Sequence, residues 1–95
     1  VGRFADRMAL SQDVKTRASM MVERAEDISI TSGKSPGGMA ASALYLAAYM
    51  EGEDRTMRDM AETLGMTSAT IRNRSKDLVE ALELSDYPEH LDGKE

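Results

Sequence analysis

The stretch Thr56-Met57-Arg58-Asp59-Met60-Ala61-Glu62-Thr63-Leu64-Gly65-Met66-Thr67-Ser68-Ala69-Thr70-Ile71-Arg72-Asn73-Arg74 reads as two short helices meeting at a glycine. Thr56 offers an N-cap with Asp59 three residues on, a capping-box pattern with Asp in place of Glu. Met57, Met60, Ala61 and Leu64 fall on one helical face, and Gly65 can take the left-handed conformation that ends a helix. Thr67 or Ser68 then caps a second helix, in which Ile71, Ser75, Leu78, Val79 and Leu82 line one side. Ala61 stands four residues before Gly65, Met66 directly after it and Ile71 six residues later. That is the spacing of a helix-turn-helix, with a small residue where the helices cross closely and a glycine where the chain turns sharply.

Working backward from this pair, Met39 to Met50 is almost wholly apolar around its axis, as a central buried helix must be. The turn-rich run Thr31 to Gly38 precedes it, where Ser35 can cap and Pro36 can take the first helical position. It ends near Gly52. Earlier still, Ser11 caps a helix of about four turns in which Val14, Ala18, Met21, Val22, Ala25 and Ile28 recur at three- and four-residue steps. A short segment from Arg3 to Ala9, with Phe4 and Met8 one turn apart, comes first. No stretch alternates with period two, so the expected fold is all-α with five helices. Beyond Leu84 the pattern dissolves, and residues 85–95 are expected to be a polar, flexible tail on a domain spanning 1–84.

The 95 residues fit one domain, and 41% apolar with 31% charged residues is ordinary for a chain that folds. Aromatics are 4% while methionine occurs eight times, so Met, Leu, Ala, Ile and Val must fill the core. The methionines follow the helical spacing of Leu and Ala and are read as core rather than as a binding surface. There is no cysteine, and the single His90, read as solvated, cannot build a multi-histidine site. No cofactor is expected. An enzyme is set aside because no His, Cys or carboxylate cluster has the spacing of an acid-base or metal site. Ser32-Gly33-Lys34-Ser35 lacks the upstream glycine and preceding strand of a phosphate loop. No apolar run approaches the ~20 residues that cross a bilayer, and the first residues lack a signal-peptide core, so no membrane is expected and the location expected is cytoplasmic. The missing initiator Met suggests a piece of a longer protein.

Twelve basic against seventeen acidic residues leave a net charge of −5, which argues against binding nucleic acid by bulk charge. The basic charge is local. From Thr67 to Lys76 there are three bases and no acid, whereas from Asp77 to Glu95 there are seven acids and one base. In a helix-turn-helix the second helix enters the major groove with its N-terminal residues toward base edges. Here those are Thr67, Ser68, Ala69, Thr70, Arg72 and Asn73. Arg72 can donate a bidentate pair to guanine and Asn73 to adenine, while Thr67 and Ser68 suit phosphate at a helix N-terminus. Arg55, Arg58, Arg74 and Lys76 flank them as backbone neutralisers. Helix pairs joined by a glycine turn are also common without any DNA role, and exposed arginines often only solvate a face. Arg74 also sits where many such motifs bury an apolar residue. The competing expectation is a protein-interaction scaffold whose acidic surface meets a basic partner.

Several separated runs, in order, carry a resemblance. Thr31-Ser32-Gly33-Lys34-Ser35-Pro36, Ala40-Ala41-Ser42-Ala43-Leu44-Tyr45-Leu46-Ala47-Ala48, Arg55-Thr56, Thr70-Ile71-Arg72-Asn73-Arg74 and Lys76-Asp77-Leu78 together resemble the second cyclin-like repeat of archaeal transcription factor B. That family is the relative of eukaryotic general transcription factor B, and the resemblance runs from about Phe4 to Leu82. It implies a five-helix cyclin-like repeat of a non-enzymatic basal initiation factor whose other parts are a zinc ribbon, a linker and a first repeat. It implies promoter double-stranded DNA and the TATA-binding protein as partners, with RNA polymerase engaged through the rest of the longer protein. The second repeat of the family reads the B recognition element upstream of the TATA box. Carried over by motif, Ala69 and Arg72 fall on base-contacting positions, with Arg55, Thr56, Arg58 and Asn73 nearby and Lys34 approaching phosphate.

Two departures stand out, since the family commonly has valine at the position of Ala69 and often tyrosine at that of Ser75. The first reduces a methyl contact to thymine, and the second thins the packing beneath the recognition helix. Alone, the repeat is expected to be a monomer, to bind weakly and not to recruit polymerase. Eight arginines against four lysines, with excess Asp and Glu, resemble the solvation of proteins from salt-loaded cytoplasm, which suggests a haloarchaeal source.

Overall fold

A computed structural model describes residues 2–28, 36–88 and 91. Among these the chain forms five helices and no strand: α1 (Gly2–Arg7), α2 (Gln12–Asp27), α3 (Pro36–Met50), α4 (Met57–Leu64) and α5 (Ser68–Ala81). The all-α expectation holds. Helix α3 is the axis of the bundle, touching each of the other four. Residues 41–48 are buried without a break, because this stretch offers water no polar face. Its alanines keep the neighbouring helices close, and Leu44 and Leu46 reach into the space between them. Ser42, also buried, donates from Oγ to the carbonyl of Ile71 at 3.0 Å and so ties α3 to α5. Ser75 lies one turn beyond Ile71 and is equally buried, yet its Oγ has no hydrogen-bond partner among the described residues. On the core face of α5 this position is thus taken by a small, buried side chain.

The helix starts follow the caps legible in the sequence. Ser11, Thr56 and Thr67 each sit in extended backbone and accept from the amide three residues on: Val14 at 3.4 Å, Asp59 at 3.0 Å and Thr70 at 3.1 Å. The proposed cap of α3, Ser35, lies outside the described residues.

Helix ends share one device, and only half of its instances announce themselves. Gly52 (φ 76°) and Gly65 (φ 72°) close α3 and α4 in the left-handed region, and Ala9 (φ 56°) and Glu83 (φ 53°) do the same after α1 and α5. At Ala9 the next amide, Leu10, donates back to Ala5 at 3.0 Å, and after Glu83 the Leu84 amide donates to Val79 at 3.0 Å. The first helix therefore stops at Arg7, short of the expected Ala9. A side chain in this region costs about 1–2 kcal/mol, partly offset by the freedom glycine has in the unfolded chain. Ala9→Gly and Glu83→Gly are each expected to stabilise the protein by ~0.5–1 kcal/mol. Gly65→Ala is expected to destabilise it by about 1 kcal/mol, although a Cβ there would meet nothing within 4 Å. Urea unfolding of the three variants checks the signs.

Two expectations are corrected by packing. Ile28 belongs to the apolar spacing of α2 but lies beyond the end of that helix, in its C-cap turn, and is 49% exposed. At the other end the core does not stop at Leu84. Tyr87 packs on it, Pro88 is buried, and Leu91 is 1% exposed, so at least part of 85–95 is held on the bundle.

The α3–α4 turn is clasped to the start of α2. Glu53 Oε1 accepts the Ser11 amide at 3.0 Å and Oε2 accepts the Ser11 hydroxyl at 2.6 Å. These bonds favour the charged form and hold the Glu53 carboxyl below the ordinary glutamate range, with Arg55 adding in the same direction. A depressed carboxyl contributes stability that is present above the unfolded pKa and lost as pH falls through the folded one. Urea midpoints measured from pH 7 down to pH 3 should therefore drop on the acid side, and Glu53→Gln should flatten that part of the profile. Nearby, Tyr45 is buried in the core. Burial, then the charge of Asp54, then Tyr49 push its hydroxyl up to about 12, so it stays a neutral phenol.

Candidate nucleic-acid interface

Helices α4 and α5 meet as the glycine turn requires. Gly65 reverses the chain, the Met66 amide donates to the Ala61 carbonyl at 2.9 Å, and Thr67 opens α5 two residues later. Ala61 is buried at the crossing and Ile71 is fully buried. With Ile71, Ser75, Leu78 and Leu82 committed to the core, the 100° step of a helix puts Ala69, Asn73, Lys76 and Glu80 on the opposite side, and all four are exposed. Arg72 and Arg74 fall on the two flanks and are half-buried.

This arrangement divides the predicted residues by what they are already doing. Ala69 and Asn73 stand outward in the first two turns of α5, with Lys76 a turn further on. Thr67 Oγ1 is occupied, accepting the Thr70 amide and sharing a 2.9 Å bond with the Thr70 hydroxyl, so these two side chains rigidify the helix start. Ser68, half-buried, follows the cap, and the first turn of α5 contains no acid to oppose an anion there. Arg74 Nε lies 3.0 Å from Asp77 Oδ2 on the same helix. Part of its charge is answered before any ligand arrives.

On the α4 side, Arg58 is almost fully exposed, with Glu62 at 3.7 Å, a pairing that contributes little in open water. Thr56, also exposed, uses its hydroxyl as the α4 cap. Arg55 has a structural task. Its Nη1 donates to the Glu53 carbonyl at 2.6 Å, and Nη2 reaches the Met8 carbonyl at 3.5 Å, tying the turn before α4 to the end of α1. Lys34 lies outside the described residues.

What the sequence argument missed is the set of carboxylates that temper these bases. Asp77 stands three residues after Arg74 and Glu62 four after Arg58, a spacing that pairs charges on any helix. The surface at the start of α5 runs from the uncharged Thr67 to Thr70 to Arg72, Asn73 and Lys76. It is suited to polar contacts along a groove, and without bulk positive charge its affinity rests on few phosphate contacts. Among the described residues no group of three or more His, Cys, Asp or Glu could hold a metal ion, and no helix is long and apolar enough to cross a membrane.

The chain is similar in sequence to known transcription initiation factors. The chain is 51% identical over 84 residues to transcription initiation factor IIB 1 of Thermococcus kodakarensis, covering 88% of this chain and 28% of the relative. It is 50% identical over 82 residues to transcription initiation factor IIB of Pyrococcus abyssi, covering 86% and 27% respectively. With the factor of the same name from Methanopyrus kandleri the identity is 44% over 86 residues, covering 90% and 28%. The chain thus spans a little over a quarter of the length of these relatives. The family profile described as transcription factor TFIIB repeat matches residues 1–81, which take in all five helices and the whole helix-turn-helix. On that match the chain belongs to the TFIIB repeat family, a family of transcription initiation factors rather than of enzymes.

Proposed function

We propose that this repeat is the promoter-reading module of a basal transcription initiation factor, corresponding to the second cyclin-like repeat of the longer protein. Helix α5 lies in the major groove of the element just upstream of the TATA box. Arg72 reads a guanine edge, Asn73 lies against a neighbouring base, and Ala69 offers only a methyl contact. Lys76, Arg58 and the amides of Thr67 and Ser68 face phosphate, and Lys34 approaches the backbone. The TATA-binding protein and RNA polymerase are the protein partners, the latter engaged through the remainder of the full-length protein.

The observation that carries this reading is the division of α5. Its core face is fully spent on the bundle, while the outward face over its first nine residues is free of acids and free of packing. A helix serving only as a scaffold has no need to keep carboxylates off that exposed stretch in a chain of net charge −5. Amide chemical-shift mapping of the chain against a duplex containing the upstream element tests it. Perturbations confined to residues 55–76 and the neighbourhood of Lys34 are the expected result. Perturbations centred on α1 or α2, or equal responses to a scrambled duplex, would overturn the reading in favour of a protein-interaction scaffold.

A further inference from the structure

Away from the helix-turn-helix, at the far end of α5, the bundle is not closed. A cleft of about 770 Å³ runs between α2, the end of α3 and the turn at residues 82–86. Its apolar lining is Met20, Met21, Met50, Leu82 and Leu84. Met20 is 58% exposed. Together with Ile28, in the turn that ends α2, it accounts for the exposed large apolar side chains among the described residues. Single exposed apolar residues are ordinary, but Met20 opens onto a cleft already lined by Met21, Met50, Leu82 and Leu84 and so extends one apolar surface. Methionine is unbranched and polarisable, so a lining with three of them can reshape around an incoming side chain.

The charges around this cleft point to its occupant. Asp13, Glu51, Glu83 and Asp86 line the cleft with Arg17 and Arg24. Arg17 is already committed, its Nε 2.6 Å from Glu51 Oε2 and its Nη1 3.8 Å from Met50 Sδ. Three carboxylates then stand against one guanidinium. We propose that the cleft receives a short amphipathic helix of a partner protein, apolar on one side and bearing lysine or arginine on the other. A second copy of this chain is the poorer fit, because it would bring its own excess of acid to an acidic rim. The fourteen residues of α5 separate the cleft from Ser68 by about 21 Å, so a partner helix and DNA can be held together. This surface stands whether or not α5 reads promoter DNA.

Fluorescence anisotropy with three labelled synthetic helices of about 14 residues provides the test. One has a leucine stripe and a lysine face, the second a leucine stripe and a glutamate face, and the third serine in place of leucine with the lysine face retained. The Leu/Lys helix is expected to bind about tenfold tighter than either of the others. Met20→Gln should weaken it by about tenfold, the loss expected when one methionine ceases to be buried. The pair Glu83→Gln and Asp86→Asn should weaken it without altering the thermal melt. Equal binding of the Ser/Lys helix would reduce the effect to bulk charge, and equal binding of the Leu/Glu helix would remove the role of the rim. Either overturns the proposal, as would a Met20→Gln variant that binds unchanged. Sedimentation equilibrium showing a dimer that Met20→Gln dissolves would assign the cleft to a second copy and overturn it as well.

Discussion

Leu44→Ala is expected to destabilise the protein by about 2–5 kcal/mol, the range for a leucine removed from a core that cannot collapse around the gap. Leu44 is fully buried in α3, and its own helix offers the core mainly Ala41, Ala43, Ala47 and Ala48 around it, side chains too short to refill the space. Alanine has no rotamer to change, so the cavity stays. A domain of this size holds about 5–15 kcal/mol of net stability, and each kcal/mol moves its melting temperature by roughly 4–8 °C. The variant should therefore melt at least about 10 °C lower. Leu44→Met, which keeps the volume, should cost less than ~1.5 kcal/mol. Calorimetry of the two variants separates cavity formation from mere loss of leucine. A loss below ~1 kcal/mol for Leu44→Ala would mean that α3 is not the tightly packed axis described above.

Arg72→Ala is expected to act on discrimination rather than on folding. If Arg72 makes a bidentate contact with guanine, its loss should remove ~1–3 kcal/mol of preference for the upstream element, about 5- to 150-fold in relative affinity. Lys76→Ala provides the contrast. A lysine on phosphate should weaken all duplexes alike and lower the slope of log affinity against log salt by about 1. Anisotropy with matched and scrambled duplexes, in the presence of the TATA-binding protein, gives both quantities. An unchanged preference in Arg72→Ala would remove the base-reading role from that residue and leave the fold untouched. Because Arg72 is half-buried on the flank of α5 while Asn73 faces outward, Asn73→Ala is the natural companion variant.

The helices, three of their caps and the glycine turn could all be read from residue order, because each depends on contacts within a turn or two. Thr56 bonding Asp59 and Gly65 turning after Leu64 are local events, and so is the burial of every third or fourth residue. The left-handed Ala9 and Glu83 were not legible, since neither residue type favours that conformation. Leu91 likewise looked like part of a polar tail, yet the bundle had an apolar site for it.

For the interface the division is similar. The segment proposed to approach DNA was chosen from the order of residues, since a spacing of Ala, Gly and Ile and a run without acids are one-dimensional patterns, and the family was open to the resemblance of several separated motifs. Which bases remain available there was decided in three dimensions. Arg55 reaches a carbonyl 47 residues earlier in the chain, at Met8, and Arg74 turns toward Asp77. The cleft at the far end of α5 exists only because α2, α3 and the turn after α5 come together without filling the space between them. Local periodicity carries information over a few residues, whereas a charge is spent or spared according to neighbours that only the folded chain brings near.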